Sequence, residues 1–216
     1  MRKYILILLS ALFVFMSADL QAQRRNPAKN ADLAFGRKQY TEAADRYKKA
    51  YRKVRRNKEE RNRISFQMAE CYRLIGLTKR AEPYYKRLLK TDYPNVHPEA
   101  YLYLAETYKM NGKYKDAIAT YEMYAQKVPD DPRGRLGVET TAQIADWIEN
   151  PSKYQVTELK KVNSTKDSDF GACWTSNNFN EIIFTSTRDA ATGKEKDGIT
   201  GQEFADFFTS KQDRKG

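Results

Sequence analysis

The chain has 216 residues, with 39 Lys and Arg against 28 Asp and Glu, a formal net charge of +11. Forty per cent of the residues are apolar and 31% are charged, a balance that argues against wholesale disorder and against a multispanning membrane protein. With one histidine, His97, and two cysteines, Cys71 and Cys173, the chain lacks the ligands for zinc clusters and haem attachment. Any His-dependent triad would have to use His97. An enzyme is therefore the weaker class of answer.

The amino terminus reads as a targeting segment. Arg2 and Lys3 precede an apolar run, Tyr4 to Met16, broken only by Ser10, and polar residues then lead to Ala22. This is the pattern of a secretory signal peptide covering 1–22, with Gln23 as the new terminus. A transmembrane anchor is the competing reading, but the run is short against the ~20 residues a spanning helix needs. The expectation is an exported chain with no transmembrane segment after cleavage.

Charge is uneven along the rest. Residues 24–150 carry 27 basic and 17 acidic side chains, a surplus of ten, while 151–216 carry ten of each. The surplus peaks from Arg46 to Arg63, where ten Lys or Arg face only Glu59 and Glu60. Such a stretch suits nucleic acid, anionic lipid or an acidic partner. Export argues against nucleic acid, and a solvated helix face with snorkelling stems is the plainer alternative.

The segment after Gln23 repeats itself. Ala43, Ala81 and Ala117 recur at spacings of 38 and 36, as do Tyr47, Tyr85 and Tyr121, and Ala31, Ala69 and Ala105. Tyr72 matches Tyr108, and Gly76 matches Gly112. Each unit reads as two helices. In the third, Ala100 to Met110 is one helix, Gly112 takes a left-handed turn, and Tyr114, Ala117, Ile118, Tyr121 and Tyr124 mark a second apolar stripe. Pro129 and Pro132 end it. Arg133 to Glu149, with Leu136, Ile144, Ala145, Trp147 and Ile148, suits a capping helix.

These columns resemble the tetratricopeptide repeat (TPR) family. The third unit carries Leu104-Ala105, Tyr108, Gly112, Tyr114, Ala117, Tyr121 and Pro129; the second carries Met68-Ala69, Tyr72, Gly76, Ala81 and Tyr85, with Thr78 where Tyr is usual. The first is degenerate, with Lys38 at the glycine position. The resemblance covers about 32–149, and the extra residues over the ~34-residue period imply longer connections near 55–58 and 92–98. It implies a mainly α helical-hairpin superhelix over 23–150, its concave face lined by the first helix of each unit. On matching positions that lining is Arg63, Phe66, Glu70 and Arg73, then Leu102, Glu106, Lys109 and Met110. Helix packing competes with this role for Phe66, Leu102 and Met110, and plain solvation competes with it for the charged members.

After Asn150-Pro151-Ser152 the period changes. Tyr154–Leu159 is mixed, while Phe170–Trp174, Glu181–Ser186 and Ala205–Ser210 are β-rich, with Asn177-Asn178 as a turn. Ile182, Ile183, Phe184, Phe207 and Phe208 require burial. Asn163-Ser164, Ser168-Asp169-Phe170, the run Ile183 to Asp189 and Asp206-Phe207-Phe208 resemble the opening of a WD40-like β-propeller, so 151–216 is expected to be a partial first blade. A lone partial blade has too little cover, so a small sheet leaning on the helical part is the most it should form. Signal peptide, TPR repeats and blade together resemble the TPR–propeller–OmpA architecture of Bacteroidetes envelope proteins, which includes the PorE-like component of type IX secretion.

That resemblance implies an exported, periplasmic, outer-membrane-associated and non-catalytic adaptor. Its TPR groove would bind an envelope protein or peptide, and it would have no cofactor and no nucleic acid partner. The alternative is a structural cell-wall protein in which the TPR part spaces a propeller and a peptidoglycan-binding domain absent from this sequence. His97 falls in a connection and reads as solvated, Cys71 as a small buried thiol, and Cys173 as a strand residue. Asp189, Asp197 and Asp206 lack the ligand density of a calcium loop. No metal-binding, nucleophile-elbow or phosphate-loop pattern is present.

Overall fold

The computed structural model describes residues 26–193 and 195–212. The signal-peptide segment 1–22 lies outside the described residues. Among the described residues the chain is mainly α. It folds as α1 (Lys29–Gly36), α2 (Tyr40–Lys53), α3 (Lys58–Leu74), α4 (Thr78–Leu88), α5 (Tyr93–Val96), α6 (Glu99–Met110), α7 (Tyr114–Lys127) and α8 (Pro132–Glu149). Three strands follow, β1 (Asp169–Trp174), β2 (Glu181–Ser186) and β3 (Asp206–Lys211). No helix among the described residues is long and apolar enough to cross a membrane.

Three hairpins, α1/α2, α3/α4 and α6/α7, are the three repeat units. Each turns on one residue in the left-handed region: Lys38 at φ 62°, Gly76 at 77° and Gly112 at 75°. The reversal needs positive φ whatever the side chain, so the lysine takes a conformation that costs a non-glycine residue ~1 kcal/mol or more. Two of the helix starts are set by polar caps, those of α3 and α8. The Asn57 side chain accepts from the Glu60 amide. Asp131 accepts from the Arg133 amide ahead of Pro132, whose missing N–H is no loss in a first turn. The 92–98 connection contains the short helix α5, a turn of structure that the sequence reading leaves as connection.

The core forms three clusters, each joining a hairpin to the repeat that follows. Ala31, Ala43, Tyr47, Ile64 and Met68 bury together, then Ala69, Ala81, Tyr85, Leu88 and Leu104, then Leu102, Ala105, Ala117, Tyr121 and Tyr124. The alanines sit where helices touch and the tyrosines fill the space beside them. Each large side chain so buried contributes ~1.5–3 kcal/mol. Buried Thr107 and Thr141 satisfy their hydroxyls on carbonyls one turn back, Tyr103 and Gly137.

The last helix departs from expectation. α8 packs on the α6/α7 hairpin through Gly134, Gly137, Val138 and Thr141, while Leu136, Trp147 and Ile148 stay outside the contact. A methyl group at Gly137 would stand 2.4 Å from the Tyr121 ring, and one at Gly134 would stand 3.0 Å from Ala125. Leu136, Trp147 and Ile148 are left 52%, 66% and 62% exposed. The small-residue face wins because the bulk at this junction is already supplied by Tyr121.

The strands form one antiparallel sheet in the order β1-β2-β3. Tyr154–Leu159 is not a strand. Of the five apolar residues expected to need burial only Phe184 is buried, and Phe207 is exposed, because the sheet has no second layer. One bond from the Thr41 hydroxyl to the Ile199 carbonyl, at 3.2 Å, ties this segment to the start of α2.

Candidate functional site: the first-helix row

The first helices α1, α3, α6 and α8 are cross-tied by side chains about one repeat apart. Arg63 donates to Asp32 at 3.0 and 3.3 Å, linking α3 to α1. Arg73 donates to Glu106 at 3.2 Å, linking α3 to α6. Lys109 donates to Thr140 at 2.9 Å, linking α6 to α8. Each arginine is also held within its own helix, Arg63 by Glu60 at 2.7 and 2.8 Å, Arg73 by Glu70 at 2.8 and 3.0 Å. Arg63 thus makes two bonds to each side, and Arg73 makes two to Glu70 and one to Glu106, which fixes each guanidinium in place.

Behind this row lies a second recurrence. The Tyr47 hydroxyl donates to Asp32 at 2.7 Å, and the Tyr85 hydroxyl donates to Glu70. Tyr121 stands near enough to Glu106 to feel its charge, and burial pushes that phenol up to about 12. Asp32, Glu70 and Glu106 are spaced by 38 and 36, the same spacings as the tyrosine column. Each follows an alanine of the packing column, Ala31, Ala69 or Ala105. The acid column is therefore legible in the sequence, one position beyond the alanines. Burial raises the phenols of Tyr47 and Tyr85, and the neighbouring carboxylates add to the effect. Glu106 is also raised, by burial first, with the Arg73 charge opposing and the Glu70 charge adding.

The eight residues expected to line the groove fall into three groups. Phe66 and Leu102 are buried in the core, Phe66 against Tyr85, Tyr93 and Tyr103. Arg63, Glu70, Arg73 and Glu106 belong to the internal ion network, so exchanging them perturbs the fold as well as any ligand contact. Lys109 and Met110 remain at the open end, Met110 63% exposed. On α8, Leu136 lies one turn before the Thr140 that Lys109 reaches, and it is exposed although the sequence places it in the packed face of a cap.

Other sequence candidates have local duties. His97 stacks on Tyr93 at 4.4 Å and approaches Glu99 at 3.2 Å, so it is partnered where solvation alone was expected. Cys71 is buried and Cys173 exposed, and both are free. The Asp197 carboxylate accepts from the Ile199 and Thr200 amides, and Asp206 accepts from the Thr192 amide, so both cap loops. Among the described residues no group of three or more His, Cys, Asp or Glu is placed to hold a metal ion.

The β segment brings its own motif together. Arg188 donates to the Val162 carbonyl and to Asp169, both at 2.7 Å, and to the Ser186 hydroxyl at 2.8 Å. Its guanidinium lies over the Phe184 and Phe208 rings. Asp169 is held down to about 2, chiefly by the Ser164 amide, then by Ser186 and Arg188. The residues that carry the propeller resemblance thus form one clamp at the end of the sheet.

Comparison with known proteins agrees with the hairpins. Tetratricopeptide repeat family models match residues 28–96 and 76–137. The crystal structure of the Sgt2 TPR domain from Aspergillus fumigatus is similar at 19% identity and a TM-score of 0.46, over 65% of this chain and 90% of that one. No curated protein matches the chain. Together the family matches span 28–137, and the helical part of this chain is a run of tetratricopeptide repeats.

Proposed function

We propose that the chain is a non-catalytic adaptor that binds a partner protein along its first-helix row, at the end where Lys109, Met110 and Leu136 stand open. The observation that carries this reading is the contrast along the row. From Asp32 to Glu106 the charges are consumed by internal pairs, whereas Met110 and Leu136 leave most of their apolar surface in water beside the Lys109–Thr140 tie. Exposed apolar side chains rimmed by polar ones are what a binding anchor requires. Tetratricopeptide repeats are protein-interaction modules, which supports the same class.

The setting we propose is the bacterial cell envelope. The Arg2–Ala22 signal pattern supports export to the periplasm, and the Ser168–Asp169–Phe170 and Ile183–Asp189 motifs support a propeller segment of the outer-membrane-associated, type IX secretion-linked kind. Peptidoglycan binding would belong to a further domain.

A photo-crosslinking residue placed at Met110 or Leu136 of the full chain should yield a defined adduct in native cells, and one at Lys115 should not. No adduct at either position would replace the adaptor with the spacer reading. Amino-terminal sequencing of the mature protein should begin at Gln23, and an intact Met1 would remove the export proposal.

A further inference from the structure

Several arginines of the described residues are held by named partners, in two ways, and Arg73 and Arg188 combine both, lying over Tyr103 and over Phe184 and Phe208 as well. Arg46, Arg63, Arg73, Arg133 and Arg188 each pair with a carboxylate. Arg61, Arg80 and Arg87 are instead laid over tyrosine rings. Arg61 covers Tyr51 at 4.6 Å, Arg80 covers Tyr72 at 5.7 Å and Arg87 covers Tyr84 at 5.9 Å. Arg61 also donates to the Tyr51 hydroxyl at 2.8 Å, and Arg87 bears on the same hydroxyl. Tyr72 and Tyr84 stack on each other. None of the three arginines has a carboxylate within 4.0 Å among the described residues; Asp45 affects Tyr72 but does not pair with Arg80.

This ladder centres on α4, a second helix, away from the first-helix row. Arg80, Tyr84 and Arg87 fall at i, i+4 and i+7 and share one face. On the flank toward the next repeat, a groove of about 550 Å³ runs past Lys79, Lys86, Arg87, Lys90 and Lys113. Its one acid, Glu82, is already taken by Lys113 at 2.6 Å, Asn111 at 2.9 Å and Lys86 at 3.9 Å, which leaves Lys79 and Lys90 without an ion pair among the described residues. On the neighbouring second helix, α2, Lys48, Lys49, Arg52 and Lys53 are exposed, and none of them forms an ion pair among the described residues.

We infer that the α4 ridge is a docking surface for an acidic polypeptide segment, whose carboxylates take the free edges of Arg80 and Arg87 and the ammonium groups of Lys79 and Lys90. Stacking explains why arginine serves here. A guanidinium drawn over a ring has given up part of its rotamer freedom, and its planar fork can still take a bidentate carboxylate. A bilayer fits poorly, because no large apolar side chain on α2 or α4 is exposed to insert. Single-stranded nucleic acid fits poorly as well, because the rings on which bases would stack are covered by the guanidiniums. The ridge is distinct from the first-helix row, so the two readings fail separately.

The test is fluorescence anisotropy with the full chain and a labelled Glu-Gly-Asp-Gly repeat peptide. A Gln-Gly-Asn-Gly peptide, labelled oligo-dT of matched charge and phosphatidylglycerol vesicles serve as comparators. The acidic peptide should bind most tightly. Arg80→Glu with Arg87→Glu should weaken it about tenfold or more, as reversal of two contact charges requires. Arg80→Lys with Arg87→Lys should weaken it about threefold, since charge is kept while the planar fork is lost. Lys115→Glu with Arg135→Glu, an equal charge change elsewhere, should stay within about twofold, the effect of long-range field alone. Equal losses in the two Glu pairs, no binding of the acidic peptide, or tighter binding of oligo-dT or vesicles would each overturn the inference. Unchanged melting of the Lys pair keeps the result readable should the Glu pair fold badly.

Discussion

The junction of α7 and α8 gives the sharpest test of the packing argument. In Gly137→Ala the new methyl carbon would lie 2.4, 2.5 and 2.7 Å from Cδ1, Cε1 and Cγ of Tyr121. Ordinary carbon contacts are ~3.5–4.0 Å, so the ring or the helix must retreat by about 1 Å. Tyr121 has little room to do so, being 4% exposed and enclosed by Leu102, Ala105, Ala117 and Tyr124. Overpacking of this kind costs up to ~3 kcal/mol. Alanine is the better helix former by ~1 kcal/mol, which leaves a net loss of ~2 kcal/mol. That is a fall in melting temperature of about 6 °C, at roughly 3 °C per kcal/mol for a chain of this size. The companion variant is Gly36→Ala, where nothing lies within 4 Å of the added carbon and stability should hold or rise by ~0.5 kcal/mol. Both are read by urea melts followed by far-ultraviolet circular dichroism. If Gly137→Ala is as stable as the parent, α8 does not pack through its glycine face and the exposure of Leu136 and Trp147 loses its explanation.

Further outcomes follow from single residues. Lys38→Gly should stabilise the first hairpin by ~0.5–1 kcal/mol in the same melts, because relief of left-handed strain outweighs the added chain entropy; Gly112→Lys should lose ~1 kcal/mol or more. Tyr85→Phe should cost ~1–2 kcal/mol, since Glu70 would lose a buried donor. Burial pushes the Cys71 thiol up to about 12, so a thiol reagent at neutral pH should titrate Cys173 alone in the native protein and both cysteines after denaturation. The Asp169 carboxyl is depressed from 3.8 to about 2, and Asp197 and Asp206 are depressed by hydrogen bonds from Thr200 and Thr192. A depressed acid contributes stability above its unfolded value and loses it as pH falls through its folded value. Trp174 fluorescence in a Trp147→Phe background should therefore change between about pH 4 and pH 2. Asp169→Asn should show the acid-form signal at neutral pH; a flat profile in the parent would remove the clamp.

What the sequence determined by itself was whatever is local or periodic. The alanine and tyrosine columns marked the helix pairs, and Gly76 and Gly112 marked the reversals. Lys38 could be placed in the left-handed position by register alone, because a hairpin reversal constrains φ before it constrains side-chain identity. Strand positions at Glu181–Ser186 were legible from β-rich composition, and the Asp169, Ser186 and Arg188 motif was visible before its clamp was. What needed the tertiary structure was the choice among faces and partners. Arg63, Arg73 and Glu106 look like a solvated row until the neighbouring first helix is set beside them, when the desolvation of each charge makes internal pairing the better state. Leu136, Trp147 and Ile148 look like the buried stripe of a cap. Only the shape of α7, where Tyr121 already fills the space, makes the Gly134–Gly137–Thr141 face the one that can come close. Periodicity tells which residues share a helix face, but which face is buried is decided by the volume the neighbour leaves open.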